Sequence, residues 1–440
     1  MPEVPGVNGL ELEPSVRANP VRSPGEQQGL LAPYRVLDLT QELGAFCGRI
    51  LADLGADVLK IEPPRGDVAR SRGPFYRDTP HPERSLWWFV HHAGKRGITL
   101  DYTTPTGREL LQRLVRTADV LIEDFPPGHL DHLGLGPLHE IRASLVLTSI
   151  TPFGQSGPYS AAPASDLELM ALSGCMSLTG DPEGEPLRIS HPQSGYWASV
   201  YGAAGTVLAL FHAGRTGEGQ QVDVSAQASL VSAMGHAPMF WDLNRSETKR
   251  AGVFLTGRSV TGARMRVMWP CRDGYLNFII YGGAAGRRTN QALVRWMLDK
   301  GMDVPAQLRE KDWESFEIST VTQGEIDQIE AVIGPFFRTL SKSEFFHGII
   351  ERDMLAYPVF APEDILGDPQ LEARGFWEPV EHPELGATLA YPGPFARLSG
   401  APSRIRRRAP LPGEHNDEIY LKELGLAPEE LATLKEGKVV

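Results

Sequence analysis

The chain has 440 residues, 41% of them hydrophobic and 22% charged, a globular composition with length for roughly two or three domains. Its net charge of −12 argues against nucleic acid or an anionic membrane surface as the main partner, while leaving room for an anionic small ligand on a local basic patch. Three scattered cysteines, Cys47, Cys175 and Cys271, form no C-x-x-C pair. They fit a reducing, cytoplasmic setting rather than a disulfide framework or a structural zinc site.

In chain order, residues 1–33 are polar and rich in Pro and Gly, without a basic stretch followed by an apolar core. They read as a flexible N-terminal extension, not a signal peptide. Residues 35–40 then read as a buried strand, 43–54 as a helix ending at Gly55, and 56–62 as a second strand. That βαβ unit implies a parallel sheet with a right-handed crossover. Its first turn carries no G-x-G-x-x-G, which disfavours a dinucleotide held by that fingerprint. After a Pro-rich charged loop come the aromatic run Trp87-Trp88-Phe89 and strands at 98–102, 118–122 and 145–150, with a helix over 106–117. Alternating strands and helices to about residue 160 describe a doubly wound half.

Residues 163–188 carry the densest chemical signal. Ser165-Asp166 begins a helix of apolar spacing through Met176, and a Gly/Pro-bounded loop follows with Asp181, Glu183 and Glu185. Carboxylates beside a tight turn suit nucleophilic or acid/base chemistry; an acidic, solvated surface loop is the plainer alternative. The most apolar segment, residues 198–211, is too short to cross a bilayer and reads as a buried helix leading to a strand at 221–224. Composition shifts after residue 235. Residues 236–350, including Gly282, Gly283 and Gly286, read as a smaller α+β domain, and 351–440 as a separate C-terminal segment. No internal repeat stands out, and the basic run at 404–408 reads as a solvated connection.

Several segments together resemble the family III CoA-transferases, which include the formyl-CoA and carnitine CoA-transferases and the related α-methylacyl-CoA racemases. They are D-L-T-Q (38–41), G-R-I-L-A-D-L-G-A-D-V-L-K-I-E-P-P (48–64), G-K-R (94–96), F-G-Q-S-G-P-Y (153–159), R-T-G-E-G-Q (215–220), D-P-Q-L-E-A-R-G-F (368–376) and P-L-P-G-E-H (410–415). Their joint order carries the resemblance, which covers everything after the N-terminal extension. It implies a Rossmann-like α/β large domain over 34–235 with a parallel sheet and a smaller α+β domain. The C-terminal segment returns to the large domain, and two ring-shaped subunits interlock as a homodimer or as a heterodimer with a homologous subunit.

The activity this resemblance implies is transfer of coenzyme A from an acyl-CoA to a carboxylic acid, without a metal. An enzyme carboxylate forms first an anhydride and then a thioester. The family's nucleophile is an Asp three residues after a T-G turn; the matching position in T-G-D-P-E-G-E-P is Glu183, one methylene longer. Asp166 matches the acid/base Asp of the racemase branch, but lacks the preceding Gly-His of that motif, and helix capping accounts for it equally. For the CoA moiety the resemblance singles out Gln41 near the thioester, Lys95 and Arg96 near the phosphates, Phe125, and the Gly282-Gly283 loop. Asp124 and His132 stand where relatives carry Asn and Arg, removing positive charge beside an anionic ligand. Trp87-Trp88-Phe89, Tyr196-Trp197 and Phe240-Trp241 are candidates for an acyl pocket or for core packing. A racemase, and a catalytically silent partner of an active homologous subunit, are the rival readings.

Overall fold

The computed structural model describes residues 29–280 and 282–440. Six strands, β1 (Arg35–Asp38), β2 (Asp57–Glu62), β3 (Arg96–Thr99), β4 (Val120–Glu123), β5 (Val146–Thr151) and β6 (Gln221–Ser225), form a sheet in the order β3-β2-β1-β4-β5-β6. Every pairing is parallel. The strands are short apolar runs buried on both faces, the pattern of a sheet covered by helices on each side. Alternation sorts the side chains: Val36, Val58, Val120 and Val146 face one core, while Leu37, Leu59, Leu121 and Ile98 face the other.

The first core is closed by α1 (Ala45–Asp53), α6 (Asp166–Leu172), α7 (Ser194–Thr216) and α8 (Ala226–Ser232). The second is closed by α3 (Pro105–Thr117), whose Thr104 cap accepts from the Gly107 N–H at 3.0 Å. Leu110, Leu111, Leu114 and Val115 form its buried face. Between α1 and α3 lies α2 (Leu86–His92), and two single turns, α4 (His129–His132) and α5 (Leu138–Ile141), follow β4. The strand order reverses between β1 and β4, which opens a crevice at their carboxyl ends.

The sequence puts the folded chain at residue 34, but packing begins earlier. Leu31 lies in the first core, and its N–H donates to the Leu54 carbonyl at 3.0 Å. Residues 1–28 of the expected extension lie outside the described residues.

A third hydrophobic core, separate from the two faces of this sheet, runs from Ala263 to Ala356. Around it are an antiparallel sheet of β9 (Met268–Cys271), β10 (Gly274–Phe278) and β11 (Ala356–Val359), a small pair β7 (Phe254–Leu255) and β8 (Met265–Arg266), and helices α10 (Gly283–Asp299), α11 (Ala306–Arg309), α12 (Gln323–Thr339) and α13 (Lys342–Glu351). Helix α9 (His236–Asn244), assigned to this unit by composition, buries none of its residues.

After α14 (Pro362–Leu366) and α15 (Pro369–Ala373), the hairpin β12 (Trp377–His382) and β13 (Ala387–Pro392) packs on Trp88 and Phe89 through Val380 and Tyr391. The last residues, ending in α16 (Pro428–Glu436), return to β3. Thr99 N donates to Asn416 Oδ1 at 3.0 Å, and Tyr420 OH donates to the Thr99 carbonyl at 2.7 Å.

Candidate active site

The carboxyl ends of β1 and β4 meet in a turn, residues 39–44, leading into α1. Asp124, immediately after β4, receives that turn: Oδ1 accepts from Gln41 N at 2.8 Å, and Oδ2 from Glu42 N at 2.9 Å and Gly44 N at 3.1 Å. A carboxylate at the start of a helix satisfies donors that the helix leaves unpaired and complements its dipole. Burial raises the Asp124 pKa, and the three N–H groups work against that rise. The sequence reads Asp124 only as lost positive charge beside a ligand; in the fold it is the staple of the turn that presents Gln41. Gln41 itself is exposed.

Below the turn lies a buried ionic network. Lys95 Nζ pairs with Asp38 Oδ2 at 2.6 Å, both side chains 0% exposed, and also donates to the Ala45 carbonyl at 2.9 Å. Asp38 Oδ1 accepts from Thr40 N at 3.0 Å and Thr40 Oγ1 at 2.6 Å. Lys60 donates to the Thr40 carbonyl and pairs with Asp67 at 3.0 Å. For Lys60, burial opposes the charge but Asp67 and Asp38 outweigh it, so its pKa is raised. For Lys95, burial wins over Asp38, and its pKa is lowered. Helix α1 crosses directly above: a Cβ on Gly48 would lie 2.4 Å from Asp38 Oδ2, so only Gly fits this approach. The neighbouring Cys47 thiol is pushed up to about 12 by burial, which leaves it packed and inert.

Arg96 opens β3 at the opposite end of the sheet. Its guanidinium pairs with Asp57 at 2.6 Å, Glu418 at 2.8 Å and Glu423 at 2.7 Å, locking the returning C-terminal segment to the strand starts. Thus the G-K-R residues expected near phosphate are engaged inside the protein, Lys95 beneath the turn and Arg96 away from the crevice. Phe125 is buried, its N–H donating to Glu123 Oε2 at 2.7 Å. Burial pushes the Glu123 carboxyl up to about 7, and it lines a cavity of about 340 Å³ with His129, Ser149, Gln155 and Gln221. Gly282 and Gly283 form the N-terminal start of α10 rather than a free loop.

Asp166 joins two helices. Ser165 and Glu168 make a reciprocal cap at the start of α6. Asp166 Oδ1 meanwhile accepts from Gln193 N at 2.7 Å, Ser194 N at 2.8 Å and Ser194 Oγ at 2.9 Å, at the start of α7. Ser199 Oγ of α7 donates to the Leu43 carbonyl at 3.2 Å, so this helix start abuts the Gln41 turn. An aromatic row links the same elements: Phe46 and Tyr196 at 5.0 Å, His91 and Tyr196 at 5.5 Å, and Trp87 stacked on His91 at 3.9 Å. Of the other aromatic candidates, Trp88 and Phe89 are core, whereas Trp197, Phe240 and Trp241 are exposed.

Glu183 sits on an exposed loop closed by Leu187 N donating to the Thr179 carbonyl at 3.0 Å. Within it, Asp181 Oδ1 accepts from Glu183 N at 3.0 Å, which makes Asp181 a brace of the turn. The Glu183 carboxylate forms no hydrogen bond or ion pair among the described residues. Nothing in the sequence marks the residue that holds the loop from below, Arg250, which donates to the Ser177, Asp181 and Gly184 carbonyls.

The fold defines a doubly wound α/β chain with a crevice at the β1–β4 reversal, the place where sheets of this kind bind ligands, and an exposed carboxylate-bearing loop at residues 177–187. Comparison with known proteins makes the class specific. The model of CoA-transferase family III matches residues 31–416, and the chain belongs to that family. A relative named succinyl-CoA:(R)-benzylsuccinate CoA-transferase subunit BbsE, from Thauera aromatica, is 36% identical over 88% of this chain and 93% of its own. A formyl-CoA:oxalate CoA-transferase from Streptomyces coelicolor is 30% identical, covering 93% of this chain and 99% of its own. Among solved structures, a CaiB/BaiF family protein from Brucella suis superposes with a TM-score of 0.75 at 27% identity, over 90% of this chain and 100% of that one. The chain is a family III CoA-transferase, acting on CoA thioesters.

Proposed function

We propose that this CoA-transferase moves CoA from an acyl-CoA to a free carboxylic acid with Glu183 as covalent nucleophile. A Glu183 oxygen attacks the thioester carbon and expels CoA thiolate, leaving an acyl–glutamyl anhydride. The thiolate then attacks the glutamyl carbonyl, releasing the donor acid and forming a glutamyl thioester. The acceptor carboxylate displaces the thiolate from that thioester to give a second anhydride. Thiolate attack on the acceptor carbonyl of this anhydride releases the new acyl-CoA and restores Glu183. Carboxylate, thioester and thiolate account for every bond made and broken.

The observation that carries the choice of Glu183 over Asp181 is their division of roles. Asp181 is engaged by the loop's own N–H, while the Glu183 carboxylate has no partner among the described residues. The longer side chain suits a loop whose main chain is exposed and can adjust. Gln41, exposed at the crevice, is the proposed neighbour of the thioester, and Gly282 and Gly283 offer main chain able to approach it closely. Lys95, Arg96 and Phe125 serve CoA indirectly, by fixing the strand ends and the turn. Mass spectrometry of the 163–188 peptide after exposure to acyl-CoA tests this reading. A CoA thioester on Glu183 that disappears in Glu183→Gln is expected; an adduct elsewhere, or turnover in the Gln variant, overturns it.

A dimer, interlocked or otherwise, is part of the proposal. Trp197 is 40%, Leu208 70% and Phe211 64% exposed along α7, and Phe240 and Trp241 of α9 are exposed as well. A face so apolar calls for a partner. Two relatives bear subunit names, BbsE and a succinyl-CoA–L-malate CoA-transferase beta subunit from Chloroflexus aurantiacus. They support a second reading, a heterodimer in which a homologous chain supplies catalysis. Activity of the purified chain alone separates the two, and light scattering gives its assembly state. A cytoplasmic location completes the proposal.

A further inference from the structure

The loop bearing Glu183 has few internal contacts, yet its carbonyls converge. Arg250 Nη2 donates to the Gly184 carbonyl at 2.9 Å, Nε to Asp181 at 3.2 Å and Nη1 to Ser177 at 3.4 Å. A guanidinium is a rigid planar fork of five donors, and here it gathers carbonyls from both sides of Glu183. Among the described residues Arg250 forms no ion pair, so its charge is directed at the loop alone. The segment behind it is fitted to the same loop. Gly252 has φ +56°, and a Cβ there would lie 3.2 Å from Asp181 Cα and 3.3 Å from Pro182 Cδ. Only a residue without a side chain sits there without strain.

We infer that Arg250 is a positioning residue for the nucleophile: by holding the Ser177, Asp181 and Gly184 carbonyls it fixes the direction in which Glu183 leaves the main chain. The inference rests on the Glu183 reading. Arg250 lies on the link from α9 to β7, so the geometry of the nucleophile loop is tied to the segment that leads into the core of residues 263–356. Lysine cannot replace this arrangement, because a single ammonium cannot span three separated carbonyls in one plane.

Two measurements on the full-length enzyme test this, each against wild type. In the first, the rate of adduct formation on Glu183 and the steady-state constants are compared for Arg250→Met and Arg250→Lys. The Met variant should lose roughly 10- to 100-fold in kcat and in adduct formation, with KM for acyl-CoA held within about two-fold. The Lys variant, which reaches some of the carbonyls, should recover part of the loss. A Met variant that forms the adduct at the wild-type rate, or one whose loss lies wholly in KM, overturns the inference. The second measurement uses a protease that cleaves after Glu on the unliganded enzyme. Cleavage at Glu183-Gly184 should quicken in both variants while the thermal midpoint stays near that of wild type; unchanged cleavage overturns the inference. Because proteolysis needs no catalysis, failure of Glu183 to form an adduct in wild type sinks the mechanism but leaves the loop-holding role to be read separately.

Discussion

The turn at residues 39–44 and the loop at residues 177–187 are both irregular main chain near the start of α7, and they are held in opposite ways. The turn is buried from below and laced by charge: Asp124 receives its N–H groups, and Asp38 and Lys60 hold Thr40. The loop is open to solvent and depends on one guanidinium and one Asx brace. A buried polar network is rigid only when each member is satisfied, and costly when one is removed. An exposed loop forgives substitution in stability and leaves its main chain room to adjust. The turn is thus stiff and the loop open, and on the proposed mechanism it is the open loop, braced by Arg250, that has to seat the longer Glu183 side chain.

The contrast breaks first at Glu183. Glu183→Gln should reduce turnover on the order of 10⁴-fold or more, the scale of losing a covalent nucleophile, while the thermal midpoint stays within experimental error. Glu183→Asp should retain far more activity, within roughly 100-fold of wild type, because the exposed loop absorbs the lost methylene. Turnover in both variants, with adduct trapping, checks this pair.

The opposite signature is expected below the turn. Asp38→Ala leaves Lys95 buried without its partner and should destabilise the fold by about 3–5 kcal/mol, read by urea denaturation. A loss under about 1 kcal/mol would mean that Lys95 is accommodated neutral or hydrated, and the turn is not held as described.

Glu123 sharpens the comparison through pH. Its folded pKa, pushed up from 4.5 to about 7 by burial, means the native state retains a proton that the unfolded chain has lost across this window. Stability from this group is therefore present below pH 4.5 and falls as pH rises towards 7. Glu123→Gln removes that titration, so its unfolding free energy should gain on wild type between those limits, by about 1–3 kcal/mol at most, read by urea denaturation across that pH range. A pH-independent difference would place the charge elsewhere.

The smallest effect is expected at Asp166. Asp166→Asn keeps an oxygen for Gln193 and Ser194 and should cost under about 1 kcal/mol, with CoA transfer within a few-fold of wild type. α-Deuterium exchange into acyl-CoA that depends on Asp166 would instead favour racemase chemistry.

Much of the scaffold was legible beforehand. Short apolar runs alternating with helical periods mark β1, α1 and β2, and the cap at Ser165 marks where α6 starts. These signals are local, since period and capping depend on neighbours in sequence. The functional assignments of Lys95 and Arg96 were harder to read, because a cation looks alike whether it faces phosphate or a buried carboxylate. Their partners Asp38, Asp57, Glu418 and Glu423 come from distant parts of the chain. Arg250 carried no signal, since its contacts are to main-chain carbonyls.

By itself, then, the sequence determined the alternation that makes a parallel sheet, the family to which its ordered motifs belong, and the carboxylate at position 183. Tertiary structure alone decided which charges are exposed and which are paired inside the protein. It turned Asp124 from an unfavourable charge beside an anionic ligand into the staple of a turn, and Arg250 from a linker residue into the holder of a loop. The physical reason is that burial and hydrogen-bond partnership are properties of a place in three dimensions, and residues far apart in the chain create that place together.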